Sequence, residues 1–245
     1  MPRYKLTVEY DGSEFVGWQW QTNGYSVQQA LEEAVVTFSG ETVRVHGAGR
    51  TDAGVHAVAQ VCHLDLVGAP APGTLRDALN AHLRPSRVSV LAAQTVADDF
   101  DARRSARARV YRYQIVNRRS PLALDVKRAW QISRELDADA MARAAARLLG
   151  QHDFSSFRAS ACQALSPVKT LDAFEVTREG ENISLTARSE SFLHHQMRAL
   201  VGSLVWVGEG RWPEAYIGDV LAARDRRSAG PNAPPWGLYL QAVLY

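Results

Sequence analysis

Cysteine is scarce in this chain. Cys62 and Cys162 are the only two among 245 residues. They lie far apart and have no metal-ligand spacing, so a disulfide framework does not fit and a reducing cytoplasm is the expected setting. Long apolar runs are missing too, and no stretch approaches the length of a membrane span. Met-Pro-Arg-Tyr-Lys-Leu runs straight into an alternating pattern, so no secretory leader is expected. There is no low-complexity segment and no repeat at the level of sequence. Net charge is only +2, so bulk charge does not announce a nucleic-acid binder. What remains is 46% hydrophobic and 22% charged. That is an ordinary globular composition, long enough for one large domain or two small ones.

The distribution of charge says more than its sum. From position 101 to 119 there are seven arginines (103, 104, 107, 109, 112, 118, 119) and one acid, Asp101. A solvated basic face is the plain reading. Tyr111 and Tyr113 interleave with the arginines, however, and basic groups beside aromatic faces suit RNA phosphates and bases.

Periodicity outlines the elements. Tyr4, Leu6, Val8 and Tyr10 alternate with polar residues, which predicts a strand over 3–10 with one buried face. Ser26 opens a helix with Gln29 as its capping-box partner, and Val27, Ala30, Leu31, Ala34, Val35 and Phe38 form its apolar face. Strands follow near 42–46 and 58–65, a helix from Thr74, and a strand at Val88 and Val90. The second half begins with a strand over 108–117, where Tyr111, Tyr113 and Ile115 share a face. A short strand around Trp130 comes next. Asp137 then caps an Ala- and Leu-rich helix that is expected to stop at Gly150. Strands near 170–177 and 182–188 precede a helix carrying Met197, Leu200, Val201, Leu204 and Val205. A shorter helix after Pro213 and a closing strand over 238–244 complete the order. The pattern β-α-β-β-α-β thus occurs twice, with extra elements in the second copy. This predicts an α+β chain of two ferredoxin-like halves, 1–105 and 106–245, joined edge to edge in one antiparallel mixed sheet.

Gly47-Ala48-Gly49-Arg50-Thr51-Asp52-Ala53-Gly54 lies between two expected strands. It begins like a dinucleotide fingerprint, but Asp52 stands where the last glycine belongs and a strand follows in place of a helix. A Walker loop is excluded because Gly-Lys-Ser/Thr is missing. The plain reading is a glycine-rich turn with a solvated Asp and Arg. Against it stands the density of reactive side chains, with Arg50, Thr51, Asp52 and His56 inside seven residues on a loop held by strands.

Six ordered blocks carry a resemblance over nearly the whole chain. They are Tyr10-Asp11-Gly12 through Phe15-Val16-Gly17-Trp18-Gln19-Trp20-Gln21, the Gly47 to Ala57 segment, Ala106-Arg107-Ala108-Arg109-Val110-Tyr111-Arg112-Tyr113, Asp153-Phe154-Ser155-Ser156-Phe157-Arg158, Phe192-Leu193-His194-His195-Gln196-Met197-Arg198, and Asp225-Arg226-Arg227 through Gly237-Leu238-Tyr239-Leu240. In these blocks the chain resembles the tRNA pseudouridine synthase A family. One departure is Asp101, where that family commonly has His, and it bears on local RNA contacts.

The resemblance implies helices on one face of the sheet, an active-site cleft between the halves, a homodimer, and a tRNA uridine at position 38, 39 or 40 of the anticodon stem-loop as substrate. It implies Asp52 as the catalytic carboxylate, Arg198 as its ion-pair partner, Tyr111 stacking on the uracil, and Arg50 holding the flipped nucleotide. Leu240 is expected to line the pocket. Arg103, Arg104 and Arg107 are expected to contact RNA. The isomerisation conserves atoms and involves no net redox change, so no cofactor and no metal are expected. His56, His194 and His195 are expected to be structural. The competing readings are a non-catalytic RNA-binding module on the same scaffold and a cofactor-dependent α/β enzyme using the glycine loop.

Overall fold

The computed structural model describes all 245 residues, Met1–Tyr245. The chain is α+β, with ten strands and five α-helices. It divides into two compact units, one of Met1–Arg107 with Tyr239–Tyr245, the other of Ala108–Leu238. No helix is long and apolar enough to cross a membrane.

The first unit runs β1 (Arg3–Tyr10), α1 (Val27–Ser39), β2 (His46–Gly47), β3 (His56–Asp65), α2 (Pro72–His82), β4 (Val88–Val96). Its strands lie in the order β4-β1-β3, with β2 also on β3, and every one of these pairs is antiparallel. This is the ferredoxin-like arrangement. The alternation in β1 buries Tyr4, Leu6, Val8 and Tyr10. In α1, Leu31 and Val35 are fully buried, and each such side chain contributes about 1.5–3 kcal/mol.

The Ser26 hydroxyl accepts from Gln29 N–H as a helix cap, but the Gln29 side chain donates to Glu33 and does not return to the cap. The strand expected near 42–46 is reduced to the two residues of β2. Val45 shows why: its N–H is taken by the Glu32 carboxylate and its carbonyl by the Gln28 amide, both from α1, so side chains satisfy the backbone there. Helix α2 begins two residues before Thr74, with Pro72 at its first position. The last strand, β10 (Leu238–Leu244), pairs parallel with β3 through Tyr239↔His56 and Leu240↔Ala57. Its C-terminal end also accepts from Arg107 N–H at Leu244 O.

The second unit runs β5 (Ala108–Asn117), β6 (Trp130–Ile132), α3 (Ala138–Ala146), β7 (Gly150–Asp153), β8 (Val168–Glu179), β9 (Asn182–Ser189), α4 (Gln196–Gly208), α5 (Tyr216–Ala223). The order β5-β9-β8-β7 is antiparallel, and β6 lies parallel to β5. Asp137 caps α3 by accepting from Ala140 N–H. The helix ends at Ala146, before the expected stop at Gly150. Gly150 instead turns the chain, at φ 89°, into β7. Gly-Gln-His-Asp has no apolar alternation, so β7 has no local signal; it exists because it pairs along Val168–Leu171 of β8. Helix α4 carries its expected Met197/Leu200/Leu204 face, yet it is buried almost all round, with Ala199, Gly202, Ser203 and Gly208 covered as well.

Candidate active site

The loop between β2 and β3 is fastened residue by residue. Ala48 N–H donates to Val61 O at 2.8 Å, and the Gln60 side-chain amide donates to Gly49 O at 2.8 Å. Trp18 N–H donates to Thr51 O at 3.1 Å, Gly54 N–H to Phe15 O at 3.3 Å, and Val55 N–H to Asp52 O at 3.1 Å. The Thr51 and Tyr10 hydroxyls share a buried hydrogen bond of 2.8 Å. Thr51 is buried, Asp52 half-buried and Arg50 exposed.

Two glycines in the preceding segment make this closeness possible. Gly17 sits at φ +114°, and a Cβ there would stand 2.5 Å from Thr51 O. A Cβ on Gly12 would overlap the carbonyl of Val55. The Tyr10–Trp18 block and the Asp52 loop are therefore one packed object, with glycine at the two closest backbone approaches, positions 12 and 17.

His56, just beyond the loop, is buried and stacks on Tyr239 at 4.7 Å. Its Nδ1 lies 3.0 Å from Gly12 N–H and 3.2 Å from Asp11 Oδ1. The amide can only donate, so Nδ1 acts as its acceptor. Burial pushes the Asp11 carboxyl up, but hydrogen bonds from Ser13 and Arg87 outweigh it, leaving a value of about 2. Leu240 is fully buried beside Ala57.

Tyr111 and Arg198 belong to the second unit. Tyr111 is half-buried on β5, with its ring edge-on to Phe192 at 5.0 Å. Tyr113, two residues on, is fully buried and donates its hydroxyl to Pro234 O at 2.8 Å. Burial pushes its phenol well up, against a smaller opposing influence from the Arg198 charge. Arg198 stands in the first turn of α4 and donates Nε–H to Ala233 O at 2.8 Å, while Ala233 N–H returns a bond to Arg198 O at 2.9 Å.

The 229–237 stretch is in turn seated on α4. Gly230 N–H donates to Ser203 Oγ at 2.9 Å, and a Cβ on Gly202 would collide with the carbonyl of Pro231. His195 enters α4 at φ 63°, and His194 lies beside it at 4.1 Å between rings. Ser156 of the Asp153–Arg158 block accepts from Asp225 N–H and donates to Val220 O, tying that block to α5 and the turn after it.

The basic segment is not one surface. Arg103, Arg104 and Arg107 are exposed, whereas Arg109 is buried and donates to Glu190 O. With Tyr113 in the core as well, only part of the interleaved run faces solvent. Asp101 organises the exposed part, since its carboxylate accepts from the backbone N–H groups of Arg103 and Arg104, both at 2.8 Å.

Thus Arg50, Asp52 and Leu240 lie in the first unit with Arg103, Arg104 and Arg107, and Tyr111 and Arg198 lie in the second. Sequence reasoning gave no role to Thr51, Tyr10, Gln60 or Phe192. Thr51, Tyr10 and Phe192 lie within the quoted blocks, whereas Gln60 lies outside them.

The sequence profile described as tRNA pseudouridine synthase matches residues 6–103 and 144–245. The chain belongs to the tRNA pseudouridine synthase family. Arg50, Asp52, Arg103, Arg198 and Leu240 fall inside the matched stretches; Arg104, Arg107 and Tyr111 fall in the gap. Curated relatives align through that gap. A protein of Nitrobacter winogradskyi named tRNA pseudouridine synthase A is 59% identical over 245 residues, covering all of this chain and 96% of its own. Proteins of the same name from Rhodopseudomonas palustris and Parvibaculum lavamentivorans are 58% and 56% identical, each over the full length of both chains.

Proposed function

We propose that this protein converts uridine to pseudouridine at position 38, 39 or 40 of the tRNA anticodon stem-loop, with Asp52 as its catalytic carboxylate. Family membership carries the coarser statement: the chain is an isomerase that acts on uridine in tRNA. The Arg50-Thr51-Asp52 tripeptide supports the residue assignment. Its middle residue is buried and fastened, and its two reactive neighbours are left less covered on either side.

In the reaction the C1′–N1 bond breaks, the uracil turns, and C1′ bonds to C5. The proton on C5 leaves and N1 gains one, so the balance calls for no reductant, nucleotide or metal. Asp52 acts by attack on uracil C6, by attack on ribose C1′, or by removing a ribose proton on a glycal-type route. Arg198 serves as the ion-pair partner of that carboxylate. Tyr111 stacks on the uracil and helps move the C5 proton. The uridine leaves its stack at a cost of a few kcal/mol, and Arg50 occupies the vacated space. Leu240 backs the pocket as an apolar support. Arg103, Arg104 and Arg107 contact phosphates. The working form is a cytoplasmic homodimer in which each tRNA touches both subunits.

Pseudouridine mapping of tRNA after incubation tests this reading. Wild type should convert uridine, and Asp52→Asn should not while still binding tRNA. A fully active Asp52→Asn variant overturns the catalytic assignment. A wild-type protein that binds tRNA and leaves uridine unchanged supports a non-catalytic RNA-binding module instead.

A further inference from the structure

Three restraints converge on Thr51. Its hydroxyl meets that of Tyr10, at the end of β1, at 2.8 Å in a buried contact. Its carbonyl accepts from Trp18 N–H at 3.1 Å. Gly17 packs so closely that a Cβ there would stand 2.5 Å from the same carbonyl. The next peptide is fixed as well, because Asp52 O accepts from Val55 N–H. Tyr10 is itself immobilised, being 4% exposed with its ring 6.1 Å from that of Trp18.

We infer that the Tyr10–Thr51 hydroxyl pair is a positioning latch that sets the direction of the Asp52 carboxylate. The inference rests on Asp52 being the catalytic carboxylate. With both flanking carbonyls held, the backbone at Asp52 is fixed in height, and its roll about the chain direction remains to be set. The hydrogen bonds to the carbonyls fix the height of the strand of chain. The hydroxyl pair fixes its roll, because turning Thr51 outward would turn Arg50 and Asp52 inward. A reacting group must be held within about 0.5 Å of its productive place, and a misplacement of about 1 Å costs roughly a hundredfold in rate. Tyr10 and Thr51 are thus positioning residues, acting through Asp52 and not on the uridine.

The test is a set of variants with kcat, KM for tRNA and melting temperature measured on each. Thr51→Val keeps the shape of the side chain and removes the hydroxyl. It should lower kcat by about ten- to a hundredfold with KM little changed, and it should lower the melting temperature because the Tyr10 hydroxyl loses a buried partner. Tyr10→Phe should do the same. Thr51→Ser should restore most of kcat. The decisive protein is Tyr10→Phe combined with Thr51→Val. Removing both hydroxyls leaves neither member of the pair without the other, so much of the melting temperature should recover while kcat stays low, and the two kcat losses should not add. Recovery of kcat along with stability would show a merely structural pair and overturn the latch, as would wild-type kcat in Tyr10→Phe. Asp52→Asn is assayed in parallel. If it is active, the catalytic reading has failed; if it is dead and Tyr10→Phe is not impaired, only the latch has.

Discussion

In the first unit Arg50 and Asp52 stand on a loop whose peptide groups are tied one by one to other parts of the chain. In the second, Tyr111 stands on a strand whose backbone is bonded along β9, and Arg198 on a helix. The loop draws its rigidity from Trp18, Phe15, Gln60, Val61 and Tyr10. It also needs glycine at positions 12 and 17, because another backbone lies where a Cβ would be. At Arg198 one stretch serves both side chain and backbone: Ala233 O receives Arg198 Nε–H, Ala233 N–H donates to Arg198 O, and Gly202 lets the 229–237 stretch come near enough to offer them. A loop must have its backbone positioned by its surroundings, whereas a helix bonds most of its own. The two carry different vulnerabilities as a result.

The contrast between the units should be greatest at their two arginines. Arg198→Lys loses the planar fork and the Nε–H that meets Ala233 O. It should lower kcat by about a hundredfold, the cost of a misplaced group. Arg50→Lys, at an exposed position, keeps a cation within reach of the same space and should cost less than about tenfold. Equal losses, measured as kcat on the same tRNA, would show that the loop arginine is held as tightly as the helical one.

A smaller effect is expected where neither unit's chemistry is touched. Changing Arg103, Arg104 and Arg107 together to Ala should weaken tRNA binding and flatten its salt dependence, by at most about 0.9 in slope for each phosphate no longer neutralised. kcat at saturating tRNA should hold. An unchanged slope removes this turn from the RNA surface.

The smallest effect concerns the wall behind the loop. The Asp11 carboxyl is lowered from 3.8 to about 2 in the folded chain. A group with a depressed folded value stabilises the protein above its unfolded value, and that contribution is lost as pH falls from about 3.8 toward 2. Urea midpoints should therefore fall across that window in wild type, and less steeply in Asp11→Asn. Identical slopes would mean that Asp11 adds nothing to the support of the loop.

Elements with a strong period were legible without the structure. Strand β5 spans the expected 108–117, and β10 the expected 238–244. β2 shrank because α1 side chains took the backbone groups of Val45, and β7 went unseen because only its partner strand makes it a strand. The basic run misled in part, since Arg109 and Tyr113 share its composition but not its exposure.

Local sequence was enough to specify the periodic elements, the Ser26 and Asp137 caps, and the glycine-bracketed Arg50-Thr51-Asp52 segment, because each of these is written in residues only a few positions apart. It took the folded chain to group Tyr239–Tyr245 with the first unit, to set Gly12 and Gly17 against the loop, and to give Thr51 its partner in Tyr10. Those contacts join residues far apart along the chain. Their partners are selected by packing and by the need to satisfy buried donors and acceptors, which no local pattern encodes.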